Sequence, residues 1–121
     1  MTEQDRKVHP NALPNHKRAV IPDEKLVEYC LNPTHPVGKH KAIVFRTVLG
    51  FDQSNWQFLK EKVLEQLPYR EAKVGKQDIY GTRYEVSLPI SGPNGNIAVV
   101  IVTWIVKAGA ECPSLTSMWV R

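Results

Sequence analysis

The sequence predicts an α+β fold in which two or three N-terminal helices pack on a three- to four-stranded antiparallel sheet, a meander, within a single domain. Three features support this prediction: helical spacing of apolar residues in the first half, a change to a period of two after residue 69, and an Asn-Gly turn between two apolar segments. At 121 residues the chain fits one domain that buries its own core. We therefore expect an arm at residues 1–20 and an α+β domain at residues 21–121.

The arm and the first helix are separated by a change in composition. Residues 1–20 are rich in Pro, Asn, His and Lys and show no periodicity, which indicates an extended or poorly ordered segment. Residues 22–31 form the first predicted helix, because Pro22 suits its first position. The Asn32-Pro33 pair ends it, since the residue before a proline is pushed out of the α region.

Two further helices are predicted before residue 69. The second covers residues 38–49 and ends at Gly50, which suits a left-handed C-cap. The third starts near Asp52 or Ser54, either of which can cap it, and stops at Pro68. Its apolar residues recur at intervals of three and four: Trp56, Leu59, Val63 and Leu67.

The second half of the chain has the pattern of strands. Residues 82–90 alternate apolar and polar side chains, and Asn94-Gly95 marks a hairpin turn before the apolar residues 97–107. Residues 115–120 form the last strand of the meander, and residues 72–74 are a candidate additional edge. Helices followed by strands are typical of the α+β class.

Composition narrows the functional classes. The longest apolar run is far shorter than the roughly 20 residues that cross a bilayer, and the polar N-terminus lacks the apolar centre of a secretory signal. We therefore expect a cytoplasmic protein that does not enter a membrane, with Cys30 and Cys112 reduced. The net charge of +4 is compatible with a nucleic acid or an acidic protein as partner.

A basic segment free of acidic residues lies between residues 29 and 51. Lys39 and Lys41 could hold a phosphate at the helix start, with His35 or His40 as general acid or base and Arg46 further along the helix. The alternative is a solvated basic loop. A metal site is not predicted, because the histidines have no second cluster to complete tetrahedral coordination, and no cofactor motif is present.

A second candidate lies on the polar face of the strand at residues 82–90. Arg83, Glu85 and Ser87 project to one side, with Thr103 and Lys107 as possible neighbours. A glutamate beside an arginine can act as a general base next to a phosphate clamp. Charge pairing between strands on a wet face is the equally common alternative.

The block EYCLNPTHPVGKHKAIVF, followed by YGTRYEV, TWIV and SLTSMWV, resembles a family of small uncharacterised bacterial domains. Members of that family occur free-standing and at the C-terminal ends of polymorphic toxins or phage-like proteins. The helices-then-sheet arrangement is also similar to that of compact ribonuclease toxins, a likeness of fold. The residues that match the family pattern are Asn32, His35, Pro36, Gly38, Lys41, Ala42 and Phe45.

Together these features lead to a functional hypothesis. The chain is expected to act on nucleic acid, as a metal-independent ribonuclease-type toxin of a toxin–antitoxin or polymorphic-toxin system. The expected catalytic residues are His35 and His40, with Glu85 as a spare base; the expected phosphate contacts are Lys39, Lys41, Arg46 and Arg83. The alternative is a non-enzymatic immunity-like, antitoxin-like or accessory module that binds an acidic partner surface. Partners would be RNA or a cognate antitoxin or immunity protein, and the oligomeric state is left open.

Overall fold

Three helices precede a four-stranded antiparallel sheet in the computed structural model, which describes residues 7–121. The predicted α+β class and the meander are therefore confirmed. Each helix changes its winding before it ends, and the bounds are as follows: α1, Asp23–Lys25 continuing as a π-helical turn at Leu26–Cys30; α2, Lys39–Val44 continuing as a π-helical turn at Phe45–Leu49; α3, Trp56–Gln66 continuing as a 3₁₀ turn at Leu67–Tyr69.

The ends of α2 and α3 show how far local signals determine the helices. Gly50 adopts φ 82° at the C-cap of α2, as predicted, and its N–H donates to the carbonyls of Phe45 and Arg46. The expected cap of α3 at Asp52 or Ser54 is wrong, because the N-cap is Asn55. Asp52 instead accepts hydrogen bonds from the backbone N–H and hydroxyl of Ser54, which form the turn before the helix.

The sheet has the order β1-β2-β3-β4, with every neighbouring pair antiparallel. Its strands are β1, Ala72–Asp78; β2, Gly81–Ser91; β3, Ile97–Lys107; and β4, Ser114–Val120. The additional edge at residues 72–74 is therefore a full strand that continues to Asp78. Residues 92–96 form the hairpin turn between β2 and β3, where Gly95 has φ 90°.

The core lies between the helices and one face of the sheet. Val86, Val102 and Met118 occupy one row of that face on β2, β3 and β4, and all three are fully buried together with helix residues such as Phe45 and Leu59. Side chains alternate along a strand, so the intervening residues face the other way. We call that second side the open face. Its side chains are mostly half-buried or exposed.

The arm is fastened to the domain along the part that the structure describes. Leu13 is buried in the core, and the N–H of Ala72 donates to the carbonyl of Asn11. Val20 forms a parallel bridge with Ser114 at the edge of β4. Residues 1–6 of the predicted arm lie outside the described residues. Within residues 7–121, no helix has the length and apolar content that a membrane crossing requires.

Candidate functional site

His35 is held at the start of α2 by hydrogen bonds to its own loop. Its Nδ1 atom accepts the backbone N–H groups of Val37 and Gly38, each at 3.0 Å. The ring also meets Tyr29 edge-on, with centroids 4.9 Å apart. Because both bonds need an unprotonated Nδ1, the neutral ring with its proton on Nε2 fits this geometry. One nitrogen of the predicted catalytic histidine is therefore engaged in the turn that precedes α2.

Lys41 leaves α2 towards the open face at β4. Its Nζ atom is 3.3 Å from the Ser117 hydroxyl and 4.8 Å from the centroid of the Trp119 ring. The Tyr29 ring lies on its other flank, with its centroid 5.9 Å from the ammonium. A hydroxyl and aromatic rings therefore hold the ammonium at the sheet, and it has no carboxylate partner within residues 7–121.

A concave surface lies between α2 and the end of β4, and we call it the Trp119 groove. It encloses about 320 Å³ and is lined by His40, Lys41, Val44, Trp119 and Val120. His40 is exposed at its rim. The groove combines apolar and aromatic walls with two basic side chains, and none of these lining residues is acidic.

Lys39 and Arg46 do not line the Trp119 groove. Lys39 is exposed, and Arg46 lines a separate cavity of about 220 Å³ beside Asp52 and Ser54. Hydrogen bonds from Ser54 lower the pKa of Asp52, and the Arg46 charge adds to this effect. The structure thus places Arg46 away from the Trp119 groove and next to an acid.

Arg83 is engaged in an ion pair at the β1–β2 hairpin. Its guanidinium is 2.9 Å from the Asp78 carboxylate, which Lys76 approaches to 3.8 Å. Burial acts to raise the pKa of Asp78, but the Tyr80 backbone N–H and Arg83 lower it overall. The predicted phosphate contact at Arg83 therefore has an intramolecular partner, which is the charge-pairing alternative noted above.

Glu85 and the Ser117 contact of Lys41 belong to one row of the open face. Lys73, Glu85, Thr103 and Ser117 lie directly opposite one another on β1 to β4, so their side chains share a face. With strands spaced by roughly 4.8 Å, the Cα atoms of Glu85 and Ser117 are about 10 Å apart. Since Lys41 contacts Ser117, the sequence-predicted Lys41 and Glu85 are brought onto the same surface.

A second concavity surrounds Glu85, and we call it the Glu85 basin. It encloses about 260 Å³ and its lining residues are Arg70, Glu71, Lys73, Glu85, Ser87 and Arg121. Arg121 is positioned because its N–H donates to the Val99 carbonyl at 2.9 Å, which extends the β3–β4 pairing by one residue. Within residues 7–121, the Glu85 carboxylate has no hydrogen bond and no ion pair.

The basin contains residues that sequence reasoning missed. Arg70, Lys73 and Arg121 were not candidates, and only the pairing of β1 with β2 and the end of β4 bring them to Glu85. Of the predicted residues, the basin holds Glu85 alone. His40 lies in the Trp119 groove, and His35 lines neither concavity.

Hydroxyl groups occupy the strip between the two concavities. The hydroxyls of Thr103 and Thr116 are 2.6 Å apart, and the Thr103 hydroxyl also donates to the Ser117 carbonyl at 3.2 Å. Among residues 7–121, no group of three or more His, Cys, Asp or Glu side chains could hold a metal ion.

Known proteins give two points of comparison. A family model described as a domain of unknown function (DUF6883) matches residues 12–121. A solved structure described as a contact-dependent growth inhibition toxin–immunity protein complex from Klebsiella pneumoniae 342 contains a chain with the same fold, at a TM-score of 0.64 and 15% identity. That match covers 84% of this chain and 99% of the other. No curated protein matches the chain.

Proposed function

The chain belongs to the DUF6883 family, and we propose that it is a metal-independent ribonuclease of a toxin–immunity pair whose active centre is the Glu85 basin. One observation carries this proposal: the Glu85 carboxylate, on the open face, has no ion pair within residues 7–121, although Arg70, Lys73 and Arg121 line the same concavity. A general base beside several cations is what cleavage of a phosphodiester requires.

The proposed reaction uses the ribose of RNA as its own nucleophile. Glu85 accepts the proton of the 2′-hydroxyl, and the oxygen attacks the adjacent phosphorus. Arg70 and Arg121 stabilise the negative charge that grows on the phosphoryl oxygens. As the bond to the 5′ oxygen breaks, the Lys73 ammonium, directly opposite Glu85 in the ladder, supplies the proton that this oxygen needs. The products are a 2′,3′-cyclic phosphate and a 5′-hydroxyl end.

The toxin–immunity part of the proposal is supported by the fold shared with a chain of such a complex. The resemblance of the sequence to a family that includes toxin domains also supports this part. The net charge of +4 supports RNA as the substrate, because a positively charged protein attracts nucleic acid. The partners proposed are RNA as substrate and a cognate immunity or antitoxin protein as inhibitor.

The direct test is cleavage of total RNA by the purified chain in excess EDTA. We expect cleavage that leaves 2′,3′-cyclic phosphate ends, and a loss of about 10²- to 10⁴-fold in Glu85→Gln, because that variant removes the base and keeps the shape. Glu61→Gln, an exposed glutamate on α3, is the matched control and should cleave normally. Absence of cleavage by the natural chain, or equal cleavage by Glu85→Gln, would refute the proposal.

Histidine variants separate this mechanism from the one that the sequence suggested. His40 lies outside the basin but lines the Trp119 groove, so His40→Ala should retain the rate of cleavage at saturating RNA. A loss comparable to that of Glu85→Gln would instead restore the histidine-based mechanism.

The second candidate function is a non-enzymatic module that binds an acidic partner. It is favoured by the exposed basic turn of α2, where the side chains of Lys39 and His40 have no hydrogen bond or ion pair within residues 7–121 and no acid is nearby in sequence. Expression in bacteria discriminates between the two. A ribonuclease arrests growth unless the product of the adjacent gene is co-expressed, whereas a binding module leaves growth unchanged and still captures that product.

A further inference from the structure

The Trp119 groove has a composition and a position that suit a second role on the open face. We propose that it binds one nucleobase of a single-stranded RNA next to the nucleotide cleaved in the Glu85 basin. This inference rests on the proposed function and names the substrate feature that the same surface recognises: an unpaired base that stacks on Trp119.

Continuity with the basin is the first argument. Trp119 and Ser117 point to the same side of β4, because they are two residues apart. Trp119 lies opposite Ile101, which lies opposite Ser87, a residue of the basin. The Cα atoms of Trp119 and Ser87 are therefore about 10 Å apart across β3. Neighbouring nucleotides of an extended strand can span this distance.

The side chains of the groove provide the second argument. Valine and tryptophan give it a mainly apolar lining, and a flat nucleobase can stack on such a shallow concave surface, whose volume is about 320 Å³. Lys41 lies over the Trp119 ring, 4.8 Å from its centroid, so a positive charge stands beside the part of the ring on which a base would stack. Proteins that bind single strands combine stacking aromatics with cations in this way.

An apolar side chain of a protein partner is the competing occupant. The charges favour the nucleobase, because His40 and Lys41 flank the apolar walls and none of the lining residues is acidic. A ribose-phosphate strand supplies negative charge on both sides of every base, whereas an apolar side chain of a protein has such charge beside it only where the surrounding surface is acidic. The electrostatic environment thus matches a polyanion.

The experiment compares a trideoxynucleotide with its fully abasic counterpart by fluorescence anisotropy. Neither has a 2′-hydroxyl, so binding is measured without cleavage. The natural chain should bind the base-bearing strand more tightly, and Trp119→Ala should weaken that binding by about 5- to 150-fold, the range of one stacked base. Trp119→Phe retains a ring and should lose less.

Two further variants distinguish the loss of base binding in the groove from a folding defect. Val44→Trp fills the groove from an exposed helix position, where Val44 is 39% exposed, and should abolish the preference for bases without disturbing the core. Trp56→Ala is the matched control, because Trp56 lines a different cavity with Asp23 and Lys60. Thermal melting establishes that each variant is folded.

Each outcome decides between the alternatives. Equal binding of the abasic and base-bearing strands, or an unchanged affinity in both Trp119→Ala and Val44→Trp, would overturn the inference and favour the protein side chain as occupant. Glu85→Gln should keep the preference for bases, because Glu85 lies outside the groove. If RNA is not cleaved but base-dependent binding requires Trp119, the catalytic proposal fails and the subsite remains.

Discussion

Substitutions at His35 can distinguish a structural role of its Nδ1 atom from a catalytic role of its Nε2 atom. His35→Ala removes the acceptor of the two N–H groups at the start of α2 and the edge contact with Tyr29. Each hydrogen bond contributes about 1 kcal/mol net, and an aromatic contact contributes about 0.5–1.5 kcal/mol. We therefore expect the free energy of unfolding to fall by about 2.5–3.5 kcal/mol in urea denaturation, with an unchanged m value.

Two amide variants locate the effect. His35→Asn places an oxygen near the position of Nδ1 and should recover about half of the lost stability, because an asparagine oxygen can accept the backbone N–H two residues on, as in an Asx turn. His35→Gln places its oxygen near the position of Nε2 and should recover little. His40→Ala is the control, since His40 is exposed at the next turn, and should stay within about 0.5 kcal/mol of the natural chain.

The reasoning is refuted if His35→Ala costs less than about 0.5 kcal/mol, or if His35→Asn and His35→Gln are equally stable. A stable His35→Asn protein that no longer cleaves RNA would show instead that Nε2 has a catalytic role. The His35 imidazole would then both hold the turn before α2 and take part in RNA cleavage.

Three further outcomes follow from the contacts. Gly38→Ala should destabilise the chain by about 1–3 kcal/mol, because its Cβ would overlap the Tyr29 carbonyl; urea denaturation measures this, and a neutral effect would contradict the close approach. The pKa of Asp78 is lowered in the folded state, so its contribution to stability is present above its unfolded pKa and is lost as the pH falls through the folded pKa. Between pH 7 and pH 3 the free energy of unfolding of Asp78→Asn should therefore decrease less than that of the natural chain. Urea denaturation midpoints measure both decreases, and equal decreases would show that Asp78 makes no such contribution. Burial raises the pKa of the Cys30 thiol, whereas Cys112 is partly exposed. A thiol reagent should therefore modify Cys112 in the folded chain and Cys30 only after unfolding. Mass spectrometry identifies the modified cysteine, and modification of Cys30 in the folded chain would contradict this prediction.

The elements that sequence reasoning predicted well are those with local signals. The left-handed conformation of Gly50 and the hairpin at residues 92–96 depend on a few neighbouring residues, and both were expected. Strand β1 was underestimated for a physical reason. It is an edge strand in which only Ala72 is buried, so the alternation that identifies a half-buried strand is missing from its sequence.

The candidate site was harder to predict, because its residues meet through pairing between strands. Arg83 was expected to face a phosphate, but the two-residue turn between β1 and β2 folds Asp78 back to its guanidinium. In the same way, the register of β1 sets Lys73 opposite Glu85. Neither pairing has a signal in the composition or the periodicity of the sequence.

The contrast between Arg83 and Glu85 is the strongest physical reason to regard the basin as functional. The two residues are neighbours on the same face of β2, two positions apart. Arg83 has formed an ion pair with Asp78 at 2.9 Å, which is the usual result when opposite charges meet on a sheet surface. Glu85 has basic side chains in the same concavity but forms no ion pair within residues 7–121. Cations that are not neutralised by the nearby carboxylate remain available to an incoming phosphate, and the carboxylate remains available to a proton.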